Sequence, residues 1–206
     1  MGLDMYLYAE KYVSNSSDTL IEKYPQYRKD KEQYDMVVRA MEMSALPTPE
    51  FGGVNVSKCV GYWRKANAVP GWIVRNLANN EDNCQRIYMS REDLIALRDS
   101  CVRELANRSN ATPHEDTTIK LTDNGSNADA VVNSIIEMFK SEAQKRDTNT
   151  MLADPLDIEP TAGFFFGSTE KDEYYYGSLE YTIEMLNPLI AVSLESDYSF
   201  YYQASW

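Results

Sequence analysis

Residues Leu3 to Glu10 read LDMYLYAE, so that Leu3, Met5, Leu7 and Ala9 alternate with Asp4, Tyr6, Tyr8 and Glu10. A period of two puts successive side chains on opposite faces of an extended chain, which is the pattern of a half-buried strand. The aromatic run from Tyr198 to Trp206 reads as another strand, returning to the same sheet from the far end. Between them lie longer helical stretches, and no regular βαβ repeat with glycine-rich turns is visible. The expected class is therefore α+β: a small mixed or antiparallel sheet formed from both chain ends, packed against several helices. A chain of 206 residues fits one such domain, here 1–206.

Working inward, the pattern from Asp18 to Ala45 turns helical, with Tyr34, Val37, Val38 and Met41 available to one face. Pro25 sets the start of the continuous helix, because proline is tolerated only in a helix's first turn. Pro47 and Pro49 end it, and Gly52 and Gly53 lead into a strand at Val54 to Cys59. The next segment, VGYWRKANAVPGWIVRNLANN from Val60 to Asn80, reads as one helix interrupted or kinked at Pro70 and Gly71. Cys84 to Met89 reads as a strand, and Ser90 with Asp93 makes an S-x-x-D helix start. Leu94, Leu97, Cys101 and Leu105 then recur at helical spacing.

Asn107 to Gly125 is polar and reads as an exposed loop, followed by a helix from about Asn127 to Arg146. Phe164 to Phe166 reads as a buried strand between Gly163 and Gly167, with Ser168 or Thr169 as cap of a helix beginning near Lys171. That helix carries Tyr175, Leu179, Ile183 and Leu186 on one line, and Pro188 is expected to bend or end it.

Charge is distributed unevenly. From Met151 to Trp206 ten carboxylates face a single cation, Lys171, so this part holds nine of the twelve excess negative charges. Such a face repels phosphate backbones and attracts basic partners, so direct nucleic-acid binding is not expected. Three cysteines in no metal-ligand spacing argue against a disulfide framework or a zinc site, and a reducing cytoplasm fits them. MGLDMYLYAE lacks the basic and apolar regions of a secretory signal, and no window reaches the roughly 18 apolar residues of a membrane span. The expected location is cytoplasmic, without membrane association.

The only histidine, His114, lies in the polar stretch beside Glu115 and Asp116, which leaves little room for histidine-dependent catalysis. No GxSxG, Walker, GxGxxG or HExxH motif occurs, and no cofactor or metal is expected. Two segments remain. In the first, Tyr62, Trp63, Arg64, Lys65 and Asn67, continued by Trp72, Arg75 and Arg91, combine guanidinium forks with aromatic faces, the chemistry of a nucleotide-like ligand or an acidic peptide. On one helix Arg64 and Arg75, eleven residues apart, would share a face. An alternative places Trp63 and Trp72 in the core. In the second, Ser168, Thr169, Glu170, Asp172, Glu173 and Tyr175 form an acidic, aromatic helix entry suited to a sugar-like polar ligand, a cation or a basic protein.

Taken as a set, MGLDMYL, YWRKAN, SREDL, GFFFGST and the closing YYQASW resemble a group of uncharacterised proteins of bacteriophages and bacterial genomes. Against that pattern, the stretches 18–45 and 107–146 look like elaborations. Members of the group carry a histidine in an AN-x-IH-x-W arrangement, where this chain has Ala66-Asn67-Ala68-Val69-Pro70-Gly71-Trp72. The resemblance implies a phage-type accessory binding protein, acting in the host cytoplasm, that antagonises a host defence system by binding a host protein or sequestering a nucleotide-like signal. One alternative is an enzyme acting on a nucleotide or small phosphorylated substrate, with Arg64, Lys65 and Arg91 on its anionic groups and Glu170 or Asp172 as base or metal ligand. A second is a virion structural or assembly protein that self-associates as a homo-oligomer.

Overall fold

The computed structural model describes residues 3–49, 52–111, 157–162, 169–194 and 197–205. In chain order the elements are β1 (Asp4–Ser14), α1 (Asp18–Lys23), a short 3-10 turn (Pro25–Tyr27), α2 (Arg28–Ala40), β2 (Gly53–Arg64) and α3 (Ala68–Leu77). Then come β3 (Ile87–Met89), α4 (Arg91–Ala111), α5 (Glu173–Val192) and β4 (Ser199–Ser205). The strands form one sheet in the order β2-β1-β4-β3, with every pairing antiparallel. The class is α+β, and the sheet is built from both ends of the chain.

Alternation in β1 decides which face is buried. Leu3, Met5 and Leu7 are wholly inaccessible, and Met5 stands opposite Trp63 on one side and Ala204 on the other. Their neighbours Phe200, Tyr202, Ile87 and Met89 complete the inner face, against which the buried residues of α3, α4 and α5 pack. The outer face carries tyrosines instead. Tyr6 contacts Tyr8 and Tyr62, and Tyr88 meets Tyr201 edge to face.

Two indoles tie the layers together. Trp63 Nε1 on β2 donates to Thr182 Oγ1 on α5 at 2.9 Å, and Trp72 Nε1 on α3 donates to Ser100 Oγ on α4 at 3.0 Å. Each satisfies the one polar group that a buried tryptophan must place.

Four local expectations change. The segment from Val60 is not one kinked helix: β2 continues through Arg64, and α3 starts only at Ala68, with Pro70 in its first turn where a missing N–H costs nothing. A bulge explains the longer strand, since Leu7 pairs with Gly61 and Tyr8 with Cys59, leaving Val60 as the extra residue. Helix α5 runs through Pro188 to Val192, held on both sides of the proline by buried Leu186 and Ile190. Its cap is Asp172 rather than Ser168 or Thr169: the residue is extended, and its carboxylate accepts from the Tyr175 N–H at 2.9 Å. Helix α4 extends to Ala111, into the start of the stretch read as loop. The strand expected at Phe164 to Phe166, the helix expected at Asn127 to Arg146, His114, Ser168 and Trp206 lie outside the described residues.

Candidate functional site

Where β2 leaves the sheet, Lys65 takes a left-handed conformation, φ 55°, and its N–H donates to the Leu3 carbonyl at 2.9 Å. That turn swings Ala66 and Asn67 toward the start of α5. Across the gap stand Glu170, the cap Asp172, Tyr174, Tyr175 and Ser178, and together the two sides enclose a pocket of about 290 Å³. Beyond Tyr174 and Ser178 the hollow continues for a further 520 Å³ between Tyr62 and Arg64 of β2 and Glu173, Gly177 and Tyr181 of α5. The YWRKAN segment and the acidic helix entry, more than a hundred residues apart in sequence, thus face each other across one groove.

Hydrogen bonds fix its walls. Tyr174 Oη donates to the Arg64 carbonyl, closing the groove between strand and helix. Tyr175 Oη donates to the Ile158 carbonyl at 2.6 Å, and burial pushes its phenol well above the ordinary tyrosine range. It is a neutral anchor. Tyr62 Oη donates to the Asp4 carboxylate at 2.5 Å, which raises its phenol too. Ser178 Oγ donates to the Tyr175 carbonyl at 2.7 Å.

Electrostatically the groove is mixed. Glu173 is paired with Arg108, and Lys171 bridges Glu104 at 2.7 Å and Glu159 at 2.9 Å. Partial burial opposes the Lys171 ammonium, but the hydrogen bonds to the two carboxylates outweigh it and raise its pKa. Arg103 lies 3.7 Å from Asp157. Three of the ten C-terminal carboxylates, Asp157, Glu159 and Glu173, are thus matched by α4 and Lys171, and the cleft has Arg64 and Lys65 on one wall and Glu170 and Asp172 on the other.

Of the residues singled out from sequence, Tyr62, Arg64, Lys65, Asn67, Glu170, Asp172, Glu173 and Tyr175 line the groove. Trp63 touches it but is 2% exposed, and Trp72 is equally buried; both indoles are core bolts rather than stacking surfaces. Arg75 Nη2 donates to the Asp157 carbonyl at 3.0 Å. It shares no helical face with Arg64, since the two belong to different elements. Arg91 Nε donates to the Ile190 carbonyl at 3.4 Å, sixteen residues along α5 from Tyr174 and so about 24 Å away. It cannot join Arg64 and Lys65 on one ligand. Thr169 is exposed beside the groove. Sequence reasoning missed Tyr174, Ser178 and Tyr181, whose i, i+4, i+7 spacing marks one helix face.

Among the described residues no group of three or more His, Cys, Asp or Glu is placed to hold a metal, and no helix is long and apolar enough to cross a membrane. Compared with family models, curated proteins and solved structures, the chain matches none.

Proposed function

We propose that this protein is a binding protein that sequesters a nucleotide-like signal in the groove between β2 and α5. The observation that carries the reading is the convergence of Tyr62, Arg64, Lys65 and Asn67 with Tyr174 and Glu170 on one cleft. Each part of a nucleotide has a counterpart there. The exposed ring of Tyr174, 59% accessible, offers a base a stacking face. Arg64 and Lys65 supply donors for phosphate, and Glu170 and Asp172 supply acceptors for sugar hydroxyls. The two adjoining hollows, about 290 and 520 Å³, are of the size of roughly 300–1,000 Å³ usual for small-molecule sites. With the resemblance to phage proteins, sequestration fits an accessory protein that withdraws a host defence signal.

Calorimetric titration with a panel of nucleoside mono-, di- and cyclic phosphates tests this. At least one should bind, and Arg64→Ala and Tyr174→Ala should each weaken it by about 1–3 kcal/mol, or roughly five- to 150-fold. Arg91→Ala should leave affinity unchanged. No binding by any member of the panel, or equal loss at Arg91, would sink the reading.

A further inference from the structure

A second cavity lies at the other end of α5, about 22 Å along the helix from Tyr174 and independent of the groove above. There Pro188, Leu189 and Val192 stand over the inner face of the sheet, enclosing about 430 Å³ against Val13, Val56 and Phe200. The walls are mostly apolar; the polar groups come from Lys11, Lys58 and the Tyr198 phenol. Ala9 pairs with Lys58 and Lys11 with Val56, so the two lysines are diagonal neighbours on the same face of adjacent strands, within reach of one bound group.

This is a local inversion of the protein's charge. The chain as a whole carries −12, and Lys31, Arg86, Arg98, Arg103, Arg108 and Lys171 are all matched to carboxylates. Among the described residues no acid pairs with Lys11 or Lys58. Lys58 on its own has an ordinary explanation, because β2 is an edge strand and an edge lysine discourages unwanted strand pairing. Lys11 is half-buried on β1, one residue past the last β1–β4 pair, Glu10 with Ser199, and lines the same cavity. A half-buried lysine can lay its stem along apolar wall and keep its ammonium toward water, where it can meet an anionic ligand.

We propose that this cavity binds a small amphiphilic carboxylate, with an aliphatic body against Val13, Val56, Leu189 and Val192 and its carboxylate between the Lys11 and Lys58 ammoniums. The volume suits a single chain, and most of the wall is aliphatic, from Ala9, Val13, Val56, Val60, Leu189 and Val192. Each further buried methylene strengthens binding about fourfold, while the paired ammoniums select anion over alcohol or cation.

The test uses the full chain with decanoate, decanol and decyltrimethylammonium, each below its aggregation threshold, followed by methyl NMR. Decanoate should shift the Val13, Val56, Leu189 and Val192 methyl signals, bind at least tenfold tighter than decanol, and exceed octanoate by about fifteenfold. The cationic probe should not compete. Joint Lys11→Gln and Lys58→Gln replacement should erase the preference for decanoate over decanol while leaving the circular dichroism spectrum intact. Should the double variant fail to fold, Lys58→Gln alone must weaken decanoate severalfold and spare decanol. Equal affinity for acid and alcohol, shifts elsewhere, or no binding overturns the assignment. So does a concentration-dependent dimer in sedimentation that buries these methyls, since a second copy would then be the occupant.

Discussion

Glu10 is a carboxylate on the strand face that also carries Tyr6, Tyr8 and Tyr12, and it is only 7% exposed. A buried charge persists only when its lone pairs are taken. Arg86 Nη2 donates to Oε1 at 2.6 Å and Asn55 Nδ2 to Oε2 at 2.8 Å, while the guanidinium lies over the rings of Tyr201 and Tyr8. The Arg86 hydrogen bond is the largest influence, and it and the other partners outweigh burial to hold the carboxyl at about 2. Because that lies below the unfolded value, the stabilisation is complete above about pH 4.5 and is lost as pH falls toward 2. Glu10→Gln should therefore cost about 1–3 kcal/mol at pH 7, with Arg86 left less well paired. Urea unfolding at pH 7 and pH 3 checks this: the variant should lose less stability between the two than the native chain does. Identical losses would show that other carboxylates govern the acid limb.

At the scale of elements, α4 begins with a reciprocal cap. Ser90 Oγ accepts the Asp93 N–H at 3.1 Å, and Asp93 accepts the Ser90 N–H at 2.8 Å, so two donors with no partner inside the helix are satisfied. Ser90→Ala should lower stability by about 0.5–2 kcal/mol in chemical denaturation, and Ser90→Thr should restore most of it. No loss would mean that packing of Leu94 and Leu97 alone holds the helix start. This cap was legible because S-x-x-D is a local pattern, as were β1 from its alternation and α4 from Leu94, Leu97, Cys101 and Leu105, all buried. β2 was not. Before the bulge Val54, Val56 and Lys58 share the inner face, whereas after it Gly61 and Trp63 do, so the period of two breaks at Val60. The aromatic residues that follow then merge with the true helix α3. The candidate groove was half legible: the right residue types stood out in both segments, but their meeting depends on β2 and α5 lying side by side, which no local spacing encodes.

For the whole molecule, the decisive fact is that β4 lies between β1 and β3. Remove it and β3 has no partner among the described strands, while Leu7 and Ala9 lose Tyr202 and Phe200. A chain ending at Asp197 should show no cooperative thermal transition; a sharp melt near that of the full chain would mean that β4 is an accessory strand. The same topology has a consequence during synthesis. Between Ser14, where β1 ends, and Ser199, where β4 begins, lie more than 180 residues, which a ribosome adds at about 5–20 per second. For roughly ten to forty seconds β1 can pair only with β2, and its other edge, bordered by Met5 and Leu7, stays bare. Nascent chains of this protein carry an open, apolar strand edge for most of their production, which makes that interval, rather than the finished fold, the time at which they are most exposed to aggregation and to chaperones.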